Sequence, residues 1–193
     1  MKLPIFLSLL GLALGANAFA QEAKLEKAVF GAGCFWCVEA FFEQQPGVTG
    51  VVSGYAGGEE QNPTYAQVGG GRTSHAEVVE VTFDPAKTSY EKLVDFFWKT
   101  HDVTDGRGVA PDFGRQYRST ILTSSEAQAA AAQKSKAEAQ KGLNKPIATE
   151  IAPLKKFWLA EAYHQDYVRK NPRDGYVRAV AIPKLKKLGL KLP

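Results

Sequence analysis

The chain has 193 residues, of which 45% are hydrophobic and 23% are charged, so its composition is that of a globular protein rather than a disordered or fibrous one. The formal net charge is +4, and the basic C-terminal sequence KLKKLGLKLP contains no aromatic residues that could stack on bases. We therefore expect one domain with a substantial hydrophobic core and no nucleic-acid partner.

The first 20 residues have the pattern of a secretory signal peptide. Lys2 supplies a positive charge, FLSLLGLALG is an apolar run too short to span a bilayer, and ANAFA offers small residues for cleavage. We expect residues 1–20 to be the signal peptide and residues 21–193 to form one domain. The protein would then be exported, to the periplasm or beyond, with no membrane span in the mature chain. A retained membrane anchor is the alternative.

Hydrophobic periodicity and turn residues predict an alternation of strands and helices. The expected elements are strand 27–32, helix 35–45, strand 48–56, strand 76–83, helix 89–99, strand 117–123, helix 125–141, strand 148–153 and a short helix near 160–170, followed by an irregular basic tail. Two long loops, 57–74 and 101–116, interrupt this order, and loops of that length in a compact domain usually carry function.

The order up to residue 123 is β-α-β-β-α-β, which is typical of the split βαβ, ferredoxin-like folds. We therefore expect an α+β protein in which helices cover one face of a mixed sheet. A thioredoxin-like α/β fold is the alternative, because it also places a C-x-x-C sequence after its first strand.

Cys34 and Cys37 are the only cysteines, and they lie at the expected junction of a strand and a helix. A disulfide between them would close a very short loop and stabilise the fold little, so redox chemistry explains them better than a structural role. The free N–H groups at a helix start favour a thiolate at Cys34, and Cys37 follows on the same helix face. One C-x-x-C with three histidines is a weak zinc signal, and we expect no metal.

Glu77 is unusual within the expected strand 76–83. By alternation it shares a face with three apolar side chains, those of Val79, Val81 and Phe83. Burial there would raise its pKa and keep it protonated near neutral pH, as a general acid requires. At the end of the strand the carboxylate would instead reach water.

Other candidate residues are aromatic or lie on the long loops. Phe35 and Trp36 either pack in the core or form a small hydrophobic pocket beside the Cys34 nucleophile. Tyr65 and Tyr117 either pack half-buried or supply hydrogen-bond donors to a polar group. The histidines have no ligand-like spacing, and we expect structural roles for His75, His101 and His164.

Several segments together resemble the A-type peptide methionine sulfoxide reductases, which reduce the S epimer of methionine sulfoxide. They occur in the family's order and cover nearly all of residues 27–172: GCFWCVEAFF, GYAGGEEQNPTYAQV, HAEVVEVTFDP, FFWKTHD, PDFGRQYRS and AEAYHQDYVRKNP. The resemblance implies a two-layer α/β sandwich with a ferredoxin-like core. It also implies oxidised proteins or free methionine sulfoxide as substrates, a thioredoxin-like protein as electron donor, and no other cofactor. We expect a monomer.

The resemblance implies roles for the residues around the cysteine pair. Cys34 matches the nucleophile that becomes a sulfenic acid, and Phe35 and Trp36 match the pocket for the substrate methyl group. Where several members carry a resolving cysteine, this chain has Gly69, and position 37, often glycine in the family, is Cys37. The resemblance therefore implies that any resolving thiol is Cys37, through a Cys34–Cys37 disulfide.

The resemblance also implies roles around the sulfoxide oxygen. Glu77 matches the acid that protonates this oxygen. Tyr65 and Tyr117 match the hydroxyls that hydrogen-bond it, and Asp112 matches a residue that helps to place the substrate. Two rival functions are a thioredoxin-like disulfide oxidoreductase and a non-catalytic peptide-binding module. The first gives no reason for the acid and the two tyrosines, and the second would bind methionine sulfoxide peptides equally well with both cysteines replaced.

Overall fold

The structure is a computed structural model that describes residues 24–193. The signal peptide expected over residues 1–20 lies outside the described residues and stays a prediction. In residues 24–193 there is no helix with the length and apolar character needed to cross a membrane.

The elements expected up to residue 153 are present, with small shifts at their ends. The strands are β1 (Glu26–Ala32), β2 (Val48–Ala56), β3 (Ala76–Phe83), β4 (Gly108–Val109), β5 (Asp112–Phe113), β6 (Ser119–Thr123), β7 (Glu150–Pro153) and β8 (Trp158–Leu159). The α-helices are α1 (Phe35–Phe42), α2 (Tyr65–Val68), α3 (Tyr90–Phe97), α4 (Glu126–Gln140), α5 (Tyr167–Lys170) and α6 (Ile182–Lys187). Short 3-10 helices cover Arg115–Tyr117 and Ala162–His164, and a π-helix covers Val177–Ala181.

One sheet carries the fold, with the strand order β7-β6-β1-β3-β2-β8. The four central strands, β6-β1-β3-β2, pair with one another in antiparallel orientation, whereas β7 pairs in parallel with β6 at the edge. This order, with α1 and α3 as the two crossover helices, is that of a ferredoxin-like core and not of the thioredoxin-like alternative. The expected α+β class with a mixed sheet is confirmed.

The main core lies between the sheet and helices α1, α3 and α4. Phe30 of β1 stacks on Phe42 of α1, with ring centroids 4.8 Å apart, and lies 5.5 Å from the ring of Phe97 of α3. Each fully buried side chain of this size stabilises the fold by about 1.5–3 kcal/mol. Alternate strand residues such as Val29 point to the other face, where Phe157 packs on a smaller apolar cluster.

The prediction of an irregular basic tail is wrong. The π-helix Val177–Ala181 runs directly into α6, and the two pack on α1. Val177, Ala181 and Leu185 recur every four residues, and this stripe contacts the cluster that contains Cys37. The stripe is narrow, and the basic residues between its members hide it in the sequence.

The segment before this tail also differs from the prediction. The helix expected near 160–170 is divided into the 3-10 helix Ala162–His164 and α5. Asp166 lies between them with φ 58, a left-handed conformation that ends helical regularity. Strand β8, which pairs with β2 at the sheet edge, lies where no strand is predicted, because two residues carry no periodic signal.

Candidate active site

The turn between β1 and α1 places Cys34 at the N-cap of the helix. Gly33 has φ 91, which glycine adopts at little cost, and a Cβ there would lie 2.9 Å from the Cβ of Val109. A Cβ at Gly31 would similarly lie 2.8 Å from Cγ2 of Thr120. The two glycines therefore let β6 and the loop that contains β4 close directly over the cysteine.

Cys34 and Cys37 are free thiols, and their exposed fractions are 6% and 1%. Burial raises the pKa of the Cys34 thiol, and a hydrogen bond from the Cys34 thiol lowers the pKa of Cys37. Burial thus opposes the thiolate that the free N–H groups of the helix start favour at Cys34.

Glu77 lies at the start of β3 and faces the N-terminus of α1. Its exposed fraction is 1%, and its Oε2 accepts a hydrogen bond of 3.0 Å from the backbone N–H of Phe35. Burial raises the pKa of Glu77 from 4.5 to about 8. The sequence leaves open whether Glu77 is buried on the apolar face or reaches water at the end of the strand. The structure shows that it is buried, and with this pKa the carboxyl group is protonated near neutral pH.

Tyr65 and Tyr117 approach the same point from two different loops. Tyr65 begins α2, and Tyr117 ends the 3-10 helix that precedes β6. Burial and the nearby charges of Glu77 and Cys34 raise the pKa of Tyr65 to about 12. Burial and the same two groups raise the pKa of Tyr117. Both phenols therefore keep their protons and can donate hydrogen bonds beside Glu77.

The two aromatic residues between the cysteines have different environments. Phe35 is fully buried, and its ring stacks on that of Tyr65 at a centroid distance of 6.3 Å. Trp36 is half-buried and stacks on Tyr167 at 3.7 Å. Phe35 is thus a core residue that forms the base of the site, whereas Trp36 lies at its edge.

His75 and His101 have the structural roles that the sequence predicts, since both ring nitrogens of each make hydrogen bonds. His164 differs. Its Nδ1 accepts a 3.0 Å hydrogen bond from the indole N–H of Trp36, so its proton is on Nε2, which is buried without a partner among the described residues. The ring lies 4.2 Å from that of Tyr65. In the sequence, the indication of a role for His164 is its position in AEAYHQDY, part of a segment that resembles the reductase family.

Sequence reasoning also missed Glu161, which anchors α2. Its Oε1 accepts a hydrogen bond of 2.9 Å from the backbone N–H of Tyr65, and its Oε2 accepts one of 2.7 Å from the hydroxyl of Tyr55. One carboxylate thereby ties the loop that carries Tyr65 to strand β2.

Asp112 lies on β5 and reaches the inner cysteine through a tyrosine. The hydroxyl of Tyr176 donates a 2.7 Å hydrogen bond to Asp112 Oδ2 and lies 3.9 Å from Cys37 Sγ. Burial and the nearby cysteines raise the pKa of Tyr176 well above its ordinary value. Tyr176 lies in the C-terminal segment predicted to be irregular, which is why sequence reasoning missed it.

A cluster of three carboxylates, those of Glu39, Glu43 and Asp166, has one oxygen of each within 4.8 Å of the others. Arg169 pairs with Asp166 and lies 3.6 Å from Glu43, and Lys170 lies 3.2 Å from Asp166. These two cations offset two of the three negative charges that the cluster can carry. Burial raises the pKa of Glu39 to about 7, which reduces its negative charge further.

Comparisons with known proteins point to one family. The family model of the peptide methionine sulfoxide reductases matches residues 26–191. The chain is 48% identical over 163 residues to the peptide methionine sulfoxide reductase MsrA of Haloquadratum walsbyi, which covers 84% of this chain and 94% of that protein. It is 50% identical over 159 residues to the MsrA of Listeria innocua, which covers 80% of this chain and 90% of that protein.

Solved structures show the same fold. Reduced Mxr1 from Saccharomyces cerevisiae has a TM-score of 0.75 and 37% identity, over 79% of this chain and 89% of that one. Methionine sulfoxide reductase A of Corynebacterium diphtheriae has a TM-score of 0.72 and 38% identity, over 80% of this chain and 78% of that one. Mxr1 in complex with Trx2 has a TM-score of 0.55 and 28% identity, over 76% of this chain and 86% of that one. The chain belongs to the MsrA family of peptide methionine sulfoxide reductases and is an oxidoreductase of the peptide-methionine (S)-S-oxide reductase class.

Proposed function

We propose that this protein reduces methionine-(S)-sulfoxide through a sulfenic acid on Cys34 and a Cys34–Cys37 disulfide. The observation that carries this proposal is the buried acid Glu77 at the same helix N-terminus as the nucleophile. Its pKa of about 8 gives the site a proton at neutral pH, and the N–H of Phe35 holds its carboxyl group in place.

The substrate sulfoxide is polar at its oxygen and apolar at its methyl group, and the site has a matching division. The half-buried Trp36 offers apolar surface for the methyl group, and the buried ring of Phe35 packs beside it, with ring centroids 6.4 Å apart. Glu77 and the hydroxyls of Tyr65 and Tyr117 offer donors for the oxygen. This division orients the sulfoxide sulfur towards Cys34 and favours one epimer over the other, because exchanging methyl group and oxygen would bury the oxygen without a donor.

The chemical step begins with transfer of the Cys34 proton to the thiolate form of the neighbouring Cys37, the thiol of the pair whose pKa is lowered. The Cys34 thiolate then attacks the sulfoxide sulfur while Glu77 protonates the oxygen. As the oxygen passes to Cys34, methionine leaves, and the enzyme holds a Cys34 sulfenic acid and a Glu77 carboxylate. The proton now on Cys37 restores Glu77 and leaves a Cys37 thiolate.

The Cys37 thiolate attacks the sulfenic sulfur, forms the disulfide, and releases the oxygen as water once a proton is added. A thioredoxin-like dithiol then reduces the disulfide and is itself oxidised. The solved complex of the relative Mxr1 with Trx2 supports a partner of this kind. The signal-peptide pattern of residues 1–20 supports the further proposal that the enzyme is exported and repairs oxidised proteins outside the cytoplasm. We also propose that it is a monomer.

The direct test is a single-turnover assay on the fully reduced protein without any added reductant. The two epimers of a methionine sulfoxide peptide are supplied separately, and the methionine formed per enzyme is measured. The S epimer should give about one methionine per enzyme and the R epimer essentially none, because each active site holds one nucleophilic sulfur. Equal reduction of the two epimers would contradict the proposal.

A further inference from the structure

Helix α6 brings a cation to the polar network behind the cysteine pair. Lys184 Nζ lies 3.8 Å from Asp112 Oδ2, and the exposed fractions of the two side chains are 20% and 12%. The neighbouring Lys186 and Lys187 on the same helix are exposed. Lys184 is therefore the lysine of α6 that is drawn into the protein, where a charge interacts more strongly than at the surface.

The ion pair is connected to the inner thiol. The oxygen of Asp112 that faces Lys184 also accepts the hydrogen bond of the Tyr176 hydroxyl, and that hydroxyl lies 3.9 Å from Cys37 Sγ. The hydroxyl has a single proton to donate. When Cys37 becomes a thiolate, the tyrosine can turn this proton towards sulfur, and Lys184 then compensates the Asp112 charge that the tyrosine has released.

We propose that Lys184 is a positioning residue for the resolving step, one that favours the thiolate of Cys37 through the Asp112–Tyr176 contact and its own charge. The inference rests on the proposed function, in which Cys37 attacks the Cys34 sulfenic acid.

The charges around Cys37 support this role. The acids that act on it are Asp112 of β5 and Glu77 of β3, and both oppose a thiolate. Lys184 of α6 acts in the opposite direction, because its positive charge lowers the pKa of Cys37. The hydrogen bond with Cys34 also lowers this pKa and has the larger effect. The cations of α5 are engaged by Asp166, and Arg178 of the π-helix is exposed. Tyr176 contributes a hydroxyl and no charge.

The step that Lys184 assists is balanced within the protein. The thiolate of Cys37 forms a bond to the Cys34 sulfur, the bond from that sulfur to its hydroxyl breaks, and the hydroxide leaves as water with one proton. The Cys34 sulfur is reduced from the sulfenic to the disulfide level, and the Cys37 sulfur is oxidised from thiolate to the same level. Lys184 keeps its own proton throughout.

The test uses Lys184→Met, which keeps the length of the side chain without its charge, and Lys184→Arg, which restores the charge. Lys187→Met is the matched control, since it removes an exposed charge from the same helix. One equivalent of a methionine-(S)-sulfoxide peptide is mixed with reduced enzyme. Methionine release reports the first step, and the decay of sulfenic acid trapped with dimedone reports the second. Both rates are measured from about pH 6 to about pH 9.

At neutral pH, disulfide formation relative to methionine release should be roughly three- to tenfold slower in Lys184→Met, because a thiol with a raised pKa is ionised to a smaller extent. The difference should disappear at high pH, where Cys37 is ionised in every variant. Lys184→Arg should approach the wild type, and Lys187→Met should match it.

Two results would overturn the inference while leaving the proposed function intact. One is a ratio of the two rates in Lys184→Met equal to that of Lys187→Met at every pH. The other is an equal slowing of both steps with a lower free energy of unfolding, which would make Lys184 a structural contact of α6. If the wild type releases methionine but forms no disulfide, or releases none, the proposed function itself fails and this inference fails with it.

Discussion

Cys34 and Cys37 belong to one helix, but they face different surroundings. Cys34 faces what we call the oxygen side, defined by Glu77, Tyr65 and Tyr117, where each polar group holds a proton near neutral pH. Cys37 faces the C-terminal side. It is defined by Asp112, Tyr176 and Lys184.

In the mechanism that we propose, this difference suits the two thiols to two reactions. A sulfoxide oxygen must receive hydrogen bonds and a proton, which protonated groups supply. A resolving thiol must lose its proton, and the proposed role of the cation on the C-terminal side is to assist that loss. The following predictions remove one side of this arrangement at a time.

Cys34→Ser should have the largest effect and abolish sulfoxide reduction. A serine hydroxyl is a far weaker nucleophile at neutral pH, and Cys37 lies one turn further from Glu77. The measurement is methionine formed in a single turnover, with circular dichroism to show that the variant is folded. Substantial remaining activity would move the nucleophile to another group and remove the distinction between the two thiols.

Cys37→Ser should have the next largest effect, because it should block recycling of the enzyme while leaving sulfoxide reduction possible. Glu77 and the two tyrosines are intact, so one turnover should still release about one methionine per enzyme and leave a sulfenic acid that dimedone traps. This release should be slower than in the wild type, because serine does not accept the Cys34 proton as Cys37 does and the proton must pass to solvent. Repeated turnover with a thioredoxin-like protein should fail, whereas small thiols should restore part of it. Turnover at the wild-type rate with the protein donor would show that Cys37 does not resolve the intermediate.

Glu77→Gln should lower the rate of methionine formation by roughly 10²–10⁴, the range of a lost general acid. Glutamine keeps the size of the side chain and can still accept the hydrogen bond from Phe35, but it has no proton to transfer. Glu80→Gln is the matched control: this residue lies on the same strand and pairs with Lys27 at 2.6 Å on the other face. A wild-type rate in Glu77→Gln would return the residue to a structural role.

The oxygen side could largely be predicted from the sequence, and the C-terminal side could not. Glu77 breaks the apolar alternation of a strand, and Cys34 sits beside glycines at a strand–helix junction, so both leave local signals. Lys184 and Tyr176 lie near Cys37 only because the stripe of Val177, Ala181 and Leu185 packs the C-terminal segment against α1. That contact is tertiary, and the surrounding lysines make the segment resemble a solvated tail.

The pKa values of the cysteines could not be predicted from local sequence patterns either. The position of Cys34 at a helix start favours a thiolate there, whereas burial and the hydrogen bond with Cys37 raise the pKa of its thiol. Burial of a side chain depends on loops that are distant in sequence, here the one that packs Val109 on Gly33.

The smallest expected effect concerns stability, and it tests whether Glu77 holds its proton in the folded protein. Burial raises its pKa from 4.5 to about 8. Between these values the folded state binds a proton that the unfolded chain has released, so the free energy of unfolding must fall as pH rises through this window. The slope is at most about 1.4 kcal/mol per pH unit, which amounts to a few kcal/mol in total.

Glu77→Gln has no such proton, so its stability relative to the wild type should increase between about pH 5 and about pH 8. Urea unfolding at the two pH values measures this change. Glu39, with a pKa raised by burial to about 7, titrates in the same window, but its contribution is common to both proteins and cancels in the comparison. Glu80→Gln should instead differ from the wild type by a nearly constant amount, since it loses one surface ion pair worth about 1 kcal/mol or less.

If the two variants differ from the wild type in parallel, Glu77 is ionised in the folded protein and cannot be the proton donor. If the curves diverge as expected, the buried acid that serves catalysis lowers the stability of the fold at neutral and alkaline pH.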